Sequence, residues 1–234
     1  MNFLIYSYIK MDTRKEKKNK HNCSKGCTNQ EKGPCPLNIY LDLDETLIHS
    51  IPFNDYDELD STRREKLQNT FDYNDMEDEF RVFSRPGLYD FLFFLSNNSD
   101  KFTINVWTAA TRDYADFIIM NILQKKFAVP VRYRLHRSHV NWSQNNMSSP
   151  KDLRTLWKKY MIKGHCECNT VIIDDLKDVV KSNNYYSIRI NPFVADPTKI
   201  DKELYRIREE LKELYKCYKS TNNINNCKKK QVNK

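Results

Sequence analysis

The 234-residue sequence predicts an α/β fold, a Rossmann-like, mostly parallel sheet with helices on both faces and an insertion after the first strand. Three observations carry this. Short apolar, β-favouring runs alternate with amphipathic helical stretches along the chain. Two of these runs, LNIYLDLD (37–44) and TVIIDD (170–175), stay apolar until their ends and then turn acidic, as strands buried on both faces do. Hydrophobic residues make up 39% of the chain, enough for one core, and no segment approaches 18 uncharged apolar residues.

The elements follow in order. The first strand lies in 37–44. Residues 51–79 hold ten acids and read as an irregular acidic insertion. FRVFS (80–84) is a short strand. Pro86 suits a helix start, and LYDFLFFLS is apolar at helical spacing. FTINVW (102–107) is a strand, RDYADFIIMNILQ an amphipathic helix, VRYRLH (131–136) a strand and KDLRTLWKKY (151–160) a helix. TVIIDD and YYSIRI (185–190) complete the sheet. A last helix, 198–218, follows Pro197, with Ile200, Leu204, Ile207, Leu211, Leu214 and Tyr218 on one stripe. That stripe suits either a short coiled coil or a helix laid on its own domain. Three heptads are few for a coiled coil, so the second is expected, and with it a monomer.

Charge and cysteines mark the ends. The net charge is +8, but residues 1–22 carry +4 and residues 216–234 carry +6, so the body is slightly acidic. Residues 1–36 read as a disordered, basic, cysteine-containing arm and 219–234 as a disordered basic tail. Such tails can reach nucleic acid or an acidic partner. MNFLIYSYIK lacks an early positive charge and a small-residue cleavage site, which argues against a signal peptide and for a nuclear or cytoplasmic protein. In that setting the seven cysteines are expected as free thiols. His21, Cys23, Cys27 and Cys35 could hold zinc, but no CxxC pair is present, and ordinary thiols are expected there too. Four glycines, Gly26, Gly33, Gly87 and Gly164, exclude a P-loop and a GxGxxG fingerprint.

The chemistry is expected where strands end, because open α/β sheets bind ligands at their carboxyl edge. Asp42 and Asp44 end the first strand, with Thr46 just after; Asp174 and Asp175 end the later one. Alternate strand residues point the same way, so Asp42 and Asp44 can address one site. Several carboxylates together are costly without a cation, and oxygen ligands of this kind suit Mg2+ with a phosphate. One acid can then attack phosphorus while its neighbour moves protons. A lysine and a hydroxyl are wanted for the phosphoryl oxygens, and Lys151 and Thr108 stand at suitable places in the chain order.

IYLDLDETLIHS resembles the first motif, DxDx[TV], of the haloacid dehalogenase (HAD) superfamily. Its DLDETL form is similar to that of the RNA polymerase II C-terminal-domain phosphatases of FCP/SCP type. SRPGLYDFL, VWTAATRDYAD, SSPKDLRTL and VIIDDLKDVV resemble that family's further motifs, in order, over about 37–195. The resemblance implies a HAD-like fold with a flap insertion and a magnesium-dependent phosphatase working through an aspartyl-phosphate. The implied substrate is phosphoserine or phosphothreonine of a protein. It implies Asp42 as nucleophile and metal ligand, and Asp44 as acid/base, its carbonyl also a ligand. Thr108 and Lys151 would bind the phosphoryl group. Asp174 and Asp175 would close the metal site, Asp175 the more direct ligand and Asp174 holding Lys151. Thr46 would support the turn, while Arg112 and Asp178 match the pattern without a derived role. A small phosphomonoester, a nucleic-acid end, or a non-catalytic binding role remain alternatives.

Overall fold

The computed structural model describes residues 35–183 and 187–227. At its centre β1 (Leu37–Leu41) is buried on both faces and pairs in parallel with β5 (Phe102–Trp107) and β7 (Thr170–Asp174). β6 (Val131–Leu135) and β8 (Ser187–Arg189) close the edges, and the order β6-β5-β1-β7-β8 is parallel throughout.

The two faces of β1 divide by the strand's period of two. Leu37, Ile39 and Leu41 face a large core shared with α3 (Leu88–Asn97), α4 (Arg112–Phe117) and the last helix α8 (Glu203–Thr221). The helix α4 continues as a π-helix over Ile118–Lys126. Tyr40 faces the other way, into a second core with Trp107, Ile172, α5 (Arg137–Met147), α6 (Arg154–Lys158) and α7 (Lys177–Ser182). Helices on both faces leave no side of the sheet for water, which is why its strands read as continuous apolar runs.

The insertion departs from the sequence reading. It is ordered: β2 (Ile48–Pro52), α1 (Phe53–Asp57), α2 (Ser61–Thr70), β3 (Tyr73–Met76) and β4 (Phe80–Ser84) form an antiparallel sheet β2-β4-β3 with two helices. Acidic composition concealed it. Between β2 and β4 Tyr56, Leu67 and Phe71 turn inward, joining Phe83, Phe193 and Ala195 in a small core of their own. Asp60 caps α2, accepting from the Arg63 amide at 2.9 Å. All ten acids of 51–79 lie exposed, as a solvated outer face requires.

Other differences are local. α5 lies outside the sequence reading, since only Val140, Trp142 and Met147 of its eleven residues are apolar. The helix expected from 151 begins only at Arg154, because Lys151 and Asp152 are drawn into buried contacts. The apolar stripe of α8 begins at Leu204; Ile200 precedes the helix and is 87% exposed. Leu204, Ile207, Leu211, Leu214 and Tyr218 pack on the chain's own sheet, as the single-domain reading expects.

The fold also reaches past 218. α8 ends at Asn222 in the left-handed region, a 3-10 turn spans Ile224–Asn226, and buried Ile224 donates its amide to the Cys168 carbonyl at 3.1 Å. Disulfides join Cys217 to Cys227 and Cys166 to Cys168, against the expected free thiols. That expectation came from compartment alone and took no account of chain geometry, which returns Cys227 to the last turns of α8. Of the zinc candidates, Cys35 is half-buried, while His21, Cys23 and Cys27 lie outside the described residues.

Candidate active site

The carboxyl ends of β1 and β7 are neighbours in the sheet, so the two acidic pairs meet. The Asp42 amide extends the ladder by donating to the Ile173 carbonyl at 3.1 Å. After Asp42 the chain turns sharply. Leu47 and Thr46 donate their amides to the Leu43 carbonyl at 2.8 and 3.2 Å, and Glu45 takes φ 58°.

Arg85 fixes this turn from outside. It is buried, and donates from Nη1 to the Thr46 carbonyl at 2.9 Å and from Nη2 to the Asn191 carbonyl at 2.7 Å. Its ion pair with Asp201 is 2.8 Å long. Gly87, two residues on, has φ 78°, and a Cβ there would meet the Tyr205 ring at 3.0 Å; both facts call for glycine.

Lys151 is 1% exposed and lies between two carboxylates, 2.6 Å from Asp42 Oδ1 and 2.7 Å from Asp174 Oδ2. Burial works against its charge, but Asp42 and Asp174 outweigh that and raise its pKa. Its backbone is held by Asn183, whose Nδ2 donates to the Lys151 carbonyl at 2.8 Å while Oδ1 accepts from the Leu153 amide at 2.9 Å. Asp174 has both oxygens occupied, Oδ2 by Lys151 and Oδ1 by the Leu176 amide at 2.9 Å. Burial pushes its carboxyl up and the Asp42 charge adds, while Lys151 draws it back.

Asp42 and Asp175 keep looser oxygens. Thr46 Oγ1 stands 3.4 Å from both Asp42 Oδ2 and Asp175 Oδ1, and its single proton cannot serve the two at once. Burial raises the Asp175 pKa, with Asp42 adding to it. Among the described residues, Asp42, Asp174 and Asp175 each bring an oxygen within 4.8 Å of the others. Against this one ammonium, the hard-oxygen donor set fits a divalent cation such as Mg2+. Asp42 and Asp175 hold the oxygens best able to ligate it.

Asp44 sits apart, in a bridge to Ile48. Burial raises its carboxyl to about 6, and the Tyr114 hydroxyl, donating to Oδ1 at 2.5 Å, pulls the other way. A value there suits a group that both gives and takes protons near neutrality. Burial and the Asp44 charge push the Tyr114 phenol well up, so it keeps its proton. Thr108 is buried at the end of β5. Its Oγ1 accepts from the Ala110 amide at 3.1 Å, which leaves the hydroxyl proton for another acceptor. Arg112 opens α4, exposed and 3.5 Å from Asp116 on the same helix. Asp178 is exposed in the first turn of α7.

This arrangement occupies the span over which the chain matches a family model, that of the NLI interacting factor-like phosphatases, at residues 37–221. The chain belongs to that family. Two viral relatives agree with the assignment. The protein named "Putative CTD phosphatase-like protein 355R" of Invertebrate iridescent virus 6 is 35% identical over 180 residues, 74% of this chain and 96% of that one. Its namesake in Invertebrate iridescent virus 3 is 32% identical over 182 residues, 74% of this chain and 94% of that one. Among solved structures, Fcp1, described as an essential RNA polymerase II CTD phosphatase, superposes with a TM-score of 0.57 at 17% identity. That match covers 82% of this chain and 64% of the other, and it shows the fold.

As an NLI interacting factor-like phosphatase, the chain is a HAD-type phosphoric monoester hydrolase. Sequence reasoning assigned no role to three of its site residues. Tyr114 lay within the quoted VWTAATRDYAD and Arg85 within SRPGL, so a signal existed for both. Asn183 had none, because a lone asparagine at a helix end resembles any other cap.

Proposed function

We propose that the chain is a magnesium-dependent phosphatase of protein phosphoserine and phosphothreonine that works through a phosphoryl group on Asp42. The buried Asp42–Lys151–Asp174 array beside Asp175 carries the reading. Asp42 attacks phosphorus and takes the phosphoryl group, while Lys151 and Thr108 bind its oxygens. Asp42, Asp175 and the Asp44 carbonyl would hold Mg2+, which when bound would supply positive charge against the phosphate. Asp44 protonates the departing oxygen and later takes a proton from the water that frees Asp42. The names of the viral relatives and of Fcp1 make the phosphorylated RNA polymerase II tail the first protein substrate to try.

The ten exposed acids of the insertion favour a second reading. With Arg63, Arg64 and Lys66 they leave it a net charge of −7, which repels a multiply phosphorylated tail and favours singly phosphorylated or small substrates. Assay of the purified protein on a phosphopeptide panel and on p-nitrophenyl phosphate, with and without Mg2+, decides between them. Turnover should vanish in EDTA and return with Mg2+. Full activity in EDTA removes the metal from the account; activity on p-nitrophenyl phosphate but on no phosphopeptide favours the small substrate.

A further inference from the structure

We infer that Tyr114 is a positioning residue for the proton-transfer step: with Ser50 behind it, it fixes which oxygen of Asp44 carries the proton that reaches the leaving group. The inference rests on the acid/base reading of Asp44. Tyr114 lies on α4, yet the insertion holds its ring. Phe80 of β4 packs edge-on against it, with centroids 5.5 Å apart. Ser50 of β2 hydrogen-bonds its hydroxyl. The phenol in turn donates to Asp44 Oδ1 at 2.5 Å.

A hydroxyl has one proton. With the Tyr114 proton committed to Asp44 Oδ1, the Ser50 hydroxyl must donate to the phenol oxygen. The chain of donors therefore runs Ser50 to Tyr114 to Asp44. Oδ1 is then an acceptor in both protonation states, so a neutral Asp44 carries its proton on Oδ2. In the first step a bond forms between an Asp42 oxygen and phosphorus as the bond from phosphorus to the leaving oxygen breaks. The Asp44 Oδ2 proton passes to that oxygen and leaves a carboxylate, which the Tyr114 hydroxyl still solvates. Tyr114 itself loses nothing. Without it the carboxyl can rotate and present its unprotonated oxygen, and the barrier rises most for substrates whose leaving group needs the proton.

The test compares kcat/KM, which reports phosphoryl transfer to Asp42, on phenyl phosphate and on p-nitrophenyl phosphate in saturating Mg2+. Tyr114→Phe keeps the ring against Phe80 and removes only the hydroxyl. It should lose roughly 30-fold on phenyl phosphate and no more than about threefold on p-nitrophenyl phosphate, a part of the range that acid catalysis spans. Ser50→Ala leaves Tyr114 whole and should shift the same ratio in the same direction by a smaller factor. It carries the test if Tyr114→Phe does not fold. Equal losses on both substrates, or a ratio that neither variant moves, overturn the positioning role. A wild-type protein inactive on both substrates would instead overturn the phosphatase reading beneath it, so the two failures are distinct.

Discussion

Asp42 and Asp44 are separated by one residue, and substitution by an amide of the same shape should divide their roles. Asn at 42 offers no nucleophilic oxygen, so Asp42→Asn should be inactive on p-nitrophenyl phosphate and never gain a phosphate. Asp44→Asn retains the nucleophile but cannot activate water. With a leaving group that needs little protonation it should accumulate a species heavier by one phosphate, visible by intact-mass spectrometry. No phosphorylated species in either variant would favour direct attack by water. His165 poses a different question, one of stability. It is buried against Tyr40 and Tyr133, its Nδ1 meets the Lys163 carbonyl at 3.2 Å, and its Nε2 has no partner among the described residues. Burial lowers its pKa to about 4. Between that value and the usual 6.5 the unfolded chain binds the extra proton, so stability falls as the pH drops through this window. At pH 5 the loss relative to neutral pH should be about 2 kcal/mol. His165→Phe keeps the ring contacts and should flatten this part of the curve in urea titrations at pH 7 and 5. An unchanged slope would show that His165 is not the group responsible. The acidic pairs were legible because strand alternation and the cost of gathered charge are local rules. The partners of Tyr114 and Arg85 were not, since residues 50, 44 and 201 meet them only in the folded chain.

At the scale of elements, the buried sheet was readable and the insertion was not, for one reason. A strand covered on both faces must be apolar at nearly every position, as Leu37–Leu41 and Val171–Ile173 are. A thin layer such as β2-β4-β3 buries few side chains, and its exposed acids swamp the pattern. Ile48 and Val82 tie the small sheet into the main core, and Arg85 adds a polar tie beside them. It ties the turn after Asp44 to the segment at Asn191 and Asp201, which leads into α8. Arg85→Met leaves Asp201 without its cation and two carbonyls without their shortest donors. Breaking one side of such a buried pair costs roughly 3–5 kcal/mol. At about 2–4 °C per kcal/mol for a domain of this size, the melting temperature should fall by roughly 10 °C. A fall of only a degree or two in a thermal melt would show that the turn holds itself.

For the whole molecule, the carboxyl-terminal end should not behave as the uniform tail its charge suggested. Residues 228–234 carry four lysines and lie beyond the last described contact. Removing them should leave stability and turnover of p-nitrophenyl phosphate unchanged, and should lower only salt-sensitive binding to polyanions. Removing 222–234 is a different operation. It deletes Ile224, which is fully buried in the main core, the link from its amide to Cys168, and the disulfide partner of Cys217. Truncating one buried aliphatic side chain costs about 2–5 kcal/mol, and closing a loop of this length by a disulfide contributes about 2–3 kcal/mol when oxidised. The longer deletion should therefore melt at least about 8 °C lower. Reductant should lower the melting point of the full chain and of the shorter deletion by more than that of the longer one, which no longer has Cys227 to release. The candidate site lies at the opposite, carboxyl edge of the sheet, so p-nitrophenyl phosphate turnover well below the melting point should survive both cuts. Equal stability of the two truncations would mean that the turn at Ile224–Asn226 rests on the domain without supporting it. Loss of turnover in a still-folded truncation would mean that the end of α8 communicates with the site through Asp201 and Arg85.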